Sequence, residues 1–381
     1  MRNILVVTGT RAEYGTLKNI MYEICEDNEL NLQLIVTGSH LSEKYGYTIN
    51  DIVDDGFKID FKIPILMDDC SKGSIAREIG LGIIQFSQCF EKLNPDFLLI
   101  MGDRYEIFAS AVTAMFMNIP IAHISGGEVT EGAIDEQTRH AITKISHVHF
   151  PGAEYYGENI KKMGEEPWRI FNVGDPGIEN IRKTDLLTKR EIESDLKVKI
   201  DKDTLLVTYH PVTLENKDIE IQISNLLQAL NILNKTVIMT YPNSDLGSDY
   251  IIKELVKFSN ENDKIHLFKN LGSRRYLSVM KYCGAVVGNS SSAIIEAPYL
   301  RIPAVNIGNR QKGRLKAESI IDCSNDCEDI VLAVNKALSG EFKEKAKYAK
   351  SLYGDGNTSK EIVRILKNLN IDEKLLKKKL V

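Results

Sequence analysis

Short apolar runs alternate along most of the chain with segments in which apolar residues recur every three or four positions. The runs are nearly continuous in apolar residues, which is typical of parallel strands covered on both faces. Residues 74–93 form one apolar stripe at helical spacing, and residues 105–117 are almost wholly apolar, which predicts a buried helix. The predicted strands are 3–7, 32–36, 97–101, 119–123 and 147–150 in a first series, and 204–208, 236–240, 265–268, 285–287 and 302–306 in a second.

Two such series predict an α/β protein with two doubly wound, Rossmann-like domains. The strongly charged segment 180–203 is the best candidate for the linker between them. We therefore expect domains at 1–180 and 181–355, and a C-terminal helix within 356–381 that packs back on the first domain. Open α/β sheets bind ligands beyond the carboxyl ends of their strands, so two such domains facing each other predict a site in a central cleft.

Composition narrows the function. With 381 residues, 43% hydrophobic and 27% charged residues and a net charge of −5, the chain is typical of a globular protein that binds neither nucleic acid nor a membrane surface. The six cysteines are scattered, and the CxxxC pair Cys323 and Cys327 has no second pair to complete a zinc site. From this spacing we expect no bound metal. No apolar run is long enough to span a membrane, and the first residues do not resemble a signal peptide, so we expect a cytoplasmic protein.

Residues with binding chemistry follow the predicted strands. In "TGTRAEYG", Gly9 permits a tight turn, Arg11 supplies a fixed positive charge, and a helix is predicted to begin near Thr16. This combination indicates an anion site, although an ordinary strand-to-helix turn has the same composition. His40, after the second strand, is a weaker candidate for ligand binding. Asp103 and Arg104 precede the buried helix, where an Asp commonly serves as a helix cap.

The stretch "HISGGEVTEGAIDEQTRH", residues 123–140, crowds acids around a Gly-Gly turn. Strands adjacent in sequence usually neighbour each other in a sheet, so the carboxylates of Asp103 and Glu128 should converge at one edge. Converging carboxylates in a partly dry site can divide into an acid and a base. Asp135 is a third candidate, for which a surface pair with Arg139 is the alternative.

Glu131 and Glu136, the other acids of that stretch, are interpreted as solvated side chains.

The second half offers groups that suit a nucleotide diphosphate. "GNSSSAIIEAP" combines a glycine turn, hydroxyls and a helix predicted to begin near Ser291, although the serines could simply cap that helix. Glu296 lies further along the same helix, where a carboxylate could bridge ribose hydroxyls. The substrate-binding candidates of the whole chain are Gly9, Arg11, His40, Arg104, Gly272, Asn289, Ser290, Ser291, Glu296 and Arg314.

Taken together, "TGTRAEYG", "GDRYE", "HISGGE" with "DEQTRHAITK", "HPVT", "GNSSSAIIEAP" and "NIGNRQKGR" resemble the hydrolysing UDP-N-acetylglucosamine 2-epimerase family over residues 4–320. The non-hydrolysing relatives have the patterns "GTRPE", "HxEAG" and "HRREN". This chain has Ala12 in place of the Pro of the first, Ser125 in place of the Glu of the second, and "HPVT" from His210 in place of the third. The resemblance implies a glycosyltransferase-B type fold without metal or nicotinamide cofactor. It also implies elimination of UDP across C1–C2 to a 2-acetamidoglucal, followed by hydration to N-acetylmannosamine.

On this reading the catalytic residues are Asp103, Glu128, Asp135 and His210. The carboxylates would move protons, and His210, with Arg11, Ser290 and Ser291, would stabilise the leaving diphosphate.

Alternatives remain at this stage. The motifs do not distinguish UDP-N-acetylglucosamine from a UDP- or GDP-linked 2,4-diacetamido-2,4,6-trideoxyglucose (N,N'-diacetylbacillosamine), the substrate of legionaminic-acid pathways. A glycosyltransferase on the same fold and a non-catalytic nucleotide-sugar sensor are more distant rivals. We expect a homodimer or a dimer of dimers.

Overall fold

The computed structural model describes residues 1–67, 71–129, 135–212, 219–242 and 247–381. Contacts between Cα atoms divide the chain into two compact units. Unit 1 consists of Met1–Glu128, Asp135–Asn180 and Tyr353–Val381, and unit 2 consists mainly of Ile181–Leu352. The charged segment predicted as the linker begins at the boundary between the units.

Each unit is built on one parallel six-stranded sheet. The sheet of unit 1 has the order β3-β2-β1-β4-β5-β6, and the sheet of unit 2 has the order β12-β11-β10-β7-β8-β9. The strands are β1 (Arg2–Thr8), β2 (Leu30–Thr37), β3 (Phe61–Ile63), β4 (Phe97–Met101), β5 (Ile121–Ile124), β6 (Val148–Phe150), β7 (Leu205–Thr208), β8 (Val237–Thr240), β9 (Ile265–Phe268), β10 (Ala285–Gly288), β11 (Ala304–Ile307) and β12 (Ile320–Cys323).

Helices cover these sheets on both faces. None of the helices in the described ranges is long and apolar enough to cross a membrane. The helices are α1 (Arg11–Glu26), α2 (Ile49–Asp54), α3 (Lys72–Leu93), α4 (Tyr105–Phe116), α5 (Asp135–Ile145), α6 (Glu154–Lys162), α7 (Pro176–Lys183), α8 (Lys189–Leu196), α9 (Ile219–Leu233), α10 (Ser248–Glu261), α11 (Gly272–Tyr282), α12 (Ser292–Tyr299), α13 (Cys327–Leu338), α14 (Gly340–Tyr348), α15 (Thr358–Asn368) and α16 (Glu373–Leu376).

The continuous apolar runs are explained by burial on two sides. In β1, Ile4 and Val6 enter a cluster with α1 and α15, whereas Leu5 and Val7 enter another with α3 and α4. In β7, Leu205 packs toward α9 and α13 and Leu206 packs toward α11 and α12. Because alternate side chains of a strand point to opposite faces, every position of such a strand must be apolar. The predicted α/β class with two doubly wound parallel sheets is confirmed.

The last part of the chain lies in unit 1. Ile362 and Leu366 of α15 are fully buried in the cluster that contains Ile4 and Val6. Beyond them, the fully buried Arg169 donates hydrogen bonds to the carbonyl oxygens of Lys374 at 2.8 Å and Leu375 at 2.7 Å. The guanidinium of Arg169 thus supplies donors for backbone groups that would otherwise be buried without partners.

Replacing Arg169 by Met should lower the free energy of unfolding of unit 1 by about 3 kcal/mol, because it removes the donor of the buried carbonyl groups of His147 and Leu375 and breaks the ion pair with Glu166. Urea unfolding followed by the fluorescence of Trp168, the single tryptophan, measures this loss. Arg364→Met is the matched control, since Arg364 makes an exposed pair with Glu361 and its loss should cost under about 0.5 kcal/mol. Equal losses in both variants would contradict the assignment.

Candidate functional site

Two turns at the carboxyl edge of the unit 1 sheet have unusual backbone conformations. Gly102 and Ser125 follow the neighbouring strands β4 and β5, and both have positive φ values, 78° and 62°. Met101 pairs with Ile124 at the ends of these strands. The prediction that the strands before Asp103 and Glu128 are neighbours is therefore confirmed.

Asp103 forms an ion pair with Arg139 of α5 across this edge. The side chains are 17% and 6% exposed, respectively, so the pair is largely shielded from water. The capping position of α4 is occupied by Arg104, without a side-chain cap, so Asp103 does not have the capping role considered from the sequence. Glu136 lies 4.0 Å from Arg139 and accepts from His140 at 2.9 Å, and its side chain is only 21% exposed. Glu136 is thus bound to neighbouring side chains of α5, and its interpretation as a solvated side chain is wrong. Glu131 lies outside the described residues.

His123 supports the turn that carries Asp103. The ring is fully buried, with Nε2 2.7 Å from the carbonyl oxygen of Gly102 and Nδ1 3.3 Å from the hydroxyl of Thr143. Since a carbonyl oxygen only accepts, Nε2 carries the proton and Nδ1 accepts from Thr143. Burial lowers the pKa of His123 to about 3, so the ring is a neutral structural link.

Glu128 is 3% exposed and follows Gly127, which is packed against α6. A Cβ on Gly127 would lie 2.4 Å from the carbonyl oxygen of Tyr156, so only glycine fits there. A Cβ on Gly152 would lie 3.6 Å from Oε1 of Glu128 and 3.4 Å from Oδ2 of Asp175. Asp175, 5% exposed, is thus a further buried carboxyl group beside Glu128 that the sequence reasoning missed. Asp175 follows no predicted strand, so its position in the sequence gives no signal of a site.

Asp135 is the first residue of α5 and is partly buried. Its negative charge contributes, after those of Glu106, Glu13 and Tyr105, to raising the pKa of Arg104. Asp135 therefore lies within electrostatic reach of the turn after β4, as the proposed grouping of three carboxylates requires.

The turn after β1 differs from the predicted anion site. Helix α1 begins at Arg11, five residues before the predicted start, and Glu13 lies in its first turn. Oε2 of Glu13 accepts from the backbone N–H of Gly9 at 2.8 Å and of Thr10 at 3.2 Å. The donors expected to bind a ligand anion are thus occupied by the protein's own carboxyl group, and the exposed Arg11 remains as the cation of this turn.

His40 is not placed as a ligand-binding residue would be. It is fully buried, and its ring nitrogens lie 3.1 Å from the hydroxyl of Thr8 and 2.7 Å from that of Thr48. Burial lowers the pKa of His40 to about 4. From the sequence we expect His40 to bind substrate. In the structure it instead packs between the ends of β1 and β2.

In unit 2, Asn289 fixes the backbone of His210. Oδ1 of Asn289 accepts from the His210 N–H at 2.7 Å, and Nδ2 donates to the His210 carbonyl at 2.8 Å. The carbonyl oxygen of Asn289 accepts from Gln311 at 2.9 Å and from Arg310 at 3.1 Å. Because both ends of its amide bind His210, Asn289 is placed to position that residue rather than to bind a ligand with its side chain. Burial, with a smaller effect of Arg310, holds the pKa of His210 well below its usual range.

The remaining candidates of unit 2 follow β9, β10 and β11. Ser291 precedes α12 and makes no side-chain cap, whereas Ser290 accepts from the hydroxyl of Ser292 at 3.1 Å. Glu296 is half-buried in α12, and Arg314 is half-buried after β11. Gly272, with φ of 67°, is the first residue of α11. The carboxyl edge of this sheet thus offers hydroxyls, a helix N-terminus and arginines.

The two edges differ in chemistry. Unit 1 presents carboxyl groups, which suit proton transfer, and arginines, which suit the binding of an anion. Unit 2 presents a neutral histidine, hydroxyls and cations, which suit a phosphorylated ligand. Among the described residues, no three His, Cys, Asp or Glu side chains are grouped to hold a metal ion.

Comparisons with known proteins agree on one family. The family model for UDP-N-acetylglucosamine 2-epimerase matches residues 22–367. The chain is 42% identical to the GDP/UDP-N,N'-diacetylbacillosamine 2-epimerase (hydrolyzing) of Campylobacter jejuni, over 97% of each chain. It is 35% identical to the UDP-N,N'-diacetylbacillosamine 2-epimerase (hydrolyzing) of Legionella pneumophila, over 99% of each. The crystal structure of UDP-GlcNAc 2-epimerase from Neisseria meningitidis bound to UDP-GlcNAc has the same fold, with a TM-score of 0.82 and 19% identity over 96% of this chain and 99% of that one.

Proposed function

The chain belongs to the hydrolysing UDP-N-acetylglucosamine 2-epimerase family, and from this we propose that it acts on a nucleoside-diphosphate-linked N,N'-diacetylbacillosamine. The observation that carries the proposal is the similarity, over nearly the whole chain, to two hydrolysing epimerases of that substrate, at 42% and 35% identity. The products would be the nucleoside diphosphate and the free 2-epimeric sugar, 2,4-diacetamido-2,4,6-trideoxymannose.

The reaction would proceed by elimination and then hydration. C2–H is not adjacent to a carbonyl group and is a poor acid, so cleavage of the C1–O bond should lead, with its electron pair leaving on the diphosphate. A carboxylate takes the C2 proton as the C1=C2 double bond forms. Water then adds its oxygen to C1, and a proton returns to C2 on the opposite face. Asp103, Glu128 and Asp135 are the proposed proton-transfer groups.

The departing diphosphate needs hydrogen-bond donors and positive charge to stabilise it, and it does not need a base. His210, whose pKa is held low by burial, would contact the diphosphate as a neutral donor, alongside the hydroxyls of Ser290 and Ser291. The positive charge would come from arginines, of which Arg11 and Arg314 are the predicted contacts. Glu296 is proposed to bind the ribose hydroxyls.

UDP-N-acetylglucosamine is the second candidate substrate, with N-acetylmannosamine and UDP as products. The description of the matching family model favours it. The two sugars differ at C4 and C6, whereas the proposed proton transfer occurs at C2, so both fit the same mechanism.

Proton NMR in D₂O with UDP- and GDP-linked diacetylbacillosamine and with UDP-N-acetylglucosamine tests the proposal. We expect release of nucleoside diphosphate, a free manno-configured sugar and deuterium at C2, with kcat/KM at least about tenfold higher for diacetylbacillosamine. A higher kcat/KM for UDP-N-acetylglucosamine would favour the second candidate. Nucleotide release only with an added acceptor would indicate a transferase, and binding without turnover would indicate a sensor.

A further inference from the structure

Two buried carboxyl groups lie beneath the turn that follows β1. Glu13 is 8% exposed and Glu106, from α4, is 1% exposed. A Cβ on Gly9 would lie 2.4 Å from Cγ of Glu106, and a Cβ on Gly38 would lie 3.0 Å from its Oε1. The glycines therefore let the turns after β1 and β2 close directly over Glu106, with no space for a larger residue.

Among the described residues, hydrogen-bond donors are found for two of the four carboxyl oxygen atoms of this pair. Oε2 of Glu13 accepts from the N–H groups of Gly9 and Thr10, and Oε1 of Glu106 accepts from Nε of Arg104 at 3.1 Å. Oε1 of Glu13 and Oε2 of Glu106 are buried without a hydrogen-bond partner among the described residues. A buried carboxylate oxygen without a donor is costly, and a proton on one carboxyl group removes that cost.

The surrounding charges do not balance two ionised carboxylates. Arg104 is the cation that favours ionisation of Glu13, while Glu106 opposes it. On the side of β2, the buried His40 has a lowered pKa and adds no positive charge at neutral pH. Burial first, and then the charge of Glu106, raise the pKa of Glu13 to about 8.

We propose that Glu13 and Glu106 hold one proton between them, and that the single negative charge left on the pair positions Arg104 toward the substrate. Glu13 and Glu106 would then be positioning residues. The proposal rests on the proposed function in that Arg104 is taken to contact the substrate. When the pair loses its proton to solvent, a second negative charge appears beside Arg104 and disfavours an anionic nucleotide sugar. The effect should therefore fall on KM more than on kcat.

Glu13→Gln tests this, because the carboxamide keeps the acceptor for Gly9 and Thr10 and replaces the protonated oxygen with a donor that does not titrate. In the wild type, kcat/KM should fall about tenfold between pH 7 and pH 9, through KM. In Glu13→Gln, the ratio of kcat/KM at pH 7 to kcat/KM at pH 9 should approach one. Glu26→Gln, on the exposed end of the same helix, should keep the wild-type ratio. An unchanged pH dependence in Glu13→Gln would overturn the proposal.

Infrared spectroscopy decides the protonation state without any activity. The wild type should show a protonated-carboxyl C=O band that disappears with a midpoint near the pKa of about 8, and Glu13→Gln should lack that band. The same band in wild type and variant would overturn the proposal. Inactivity on every nucleotide sugar would instead count against the proposed function, because the infrared result stands alone. If Glu13→Gln does not fold, Glu106→Gln should move the midpoint of the band to lower pH, because the charge of Glu106 no longer raises the pKa of Glu13, and should raise KM about tenfold with a smaller change in kcat; an unchanged midpoint would overturn the proposal.

Discussion

Replacing Asp103 by Asn, Glu128 by Gln or Asp135 by Asn is expected in each case to lower kcat by at least about 100-fold. The proposed elimination needs one group that accepts the C2 proton and another that delivers or orients water. Asp103 and Glu128 follow the paired ends of β4 and β5, and Asp135 lies within electrostatic reach of the same edge. Steady-state kcat and KM, measured by nucleoside diphosphate release, check this result.

Asp103→Asn needs a control for stability, because it leaves the charge of Arg139 buried beside a neutral amide. Arg139 is 6% exposed, and Glu136 lies 4.0 Å away from it. The double variant Asp103→Asn with Arg139→Gln should recover the lost stability but not the lost turnover. Glu158→Gln, an exposed carboxylate of α6, should remain close to the wild type. Turnover near the wild-type rate in all three single variants would remove these carboxylates from the mechanism.

The hydrophobic pattern was sufficient for the central strands because burial on two faces requires apolar residues at every position. β1 and β7 are examples, with each residue of Ile4–Val7 and Leu205–Val207 fully buried. The pattern did not reveal β3 or β12, which lie at sheet edges. β3 has only three residues, and β12 includes the exposed Asp322, so neither produces a continuous apolar run.

The site was only partly predictable because spacing along the chain says little about partners from other elements. The adjacency of the two strands in sequence correctly predicted that the ends of β4 and β5 lie side by side. It could not show that Glu13 would occupy the N–H groups of Gly9 and Thr10, since a capping box and an anion site begin with the same turn. Likewise, the burial of His40 depends on contacts with Thr8, at the end of another strand, and with Thr48, eight residues further along the chain. The sequence around His40 does not show either contact.

The motifs could not identify the substrate for a related reason. The motifs report the chemistry at C1, C2 and the diphosphate, which both candidate sugars share. Selection between substituents at C4 and C6 depends on side chains that no recurring spacing identifies. The similarity over the whole chain therefore supports the diacetylbacillosamine proposal more strongly than any single motif does.

The free energy of unfolding of unit 1 is expected to fall by about 3 kcal/mol when the pH is lowered from 6.5 to 5. Burial lowers the pKa of His40 and His147 to about 4 and that of His123 to about 3. The folded state keeps these rings neutral in this interval, whereas the unfolded chain, with ordinary histidine pKa values, binds a proton at each. Acid therefore favours unfolding, and His149, whose pKa is also lowered by burial, adds in the same direction.

Glu13 has the opposite sign and reduces the net effect. Its raised pKa of about 8 means that the folded state holds a proton in this interval that the unfolded chain has lost, so acid favours folding by one proton. Because the unfolded histidines are about half protonated at pH 6.5, three histidines less one carboxyl group leave an average net uptake of about 1.5 protons on unfolding over this interval, or about 2 kcal/mol per pH unit. Urea unfolding at several pH values, followed by Trp168 fluorescence, gives this slope directly.

Single variants separate the contributions through the slope, which does not depend on the absolute stability of each variant. His123→Gln should make the pH dependence shallower by about one proton, and Glu13→Gln should make it steeper by about one proton. His266→Gln is the matched control, because His266 lies in unit 2 and its loss should leave the slope for unit 1 unchanged. If His123→Gln and His266→Gln gave the same slope as the wild type, the acid sensitivity would have to come from groups other than the buried histidine beneath the Asp103 turn.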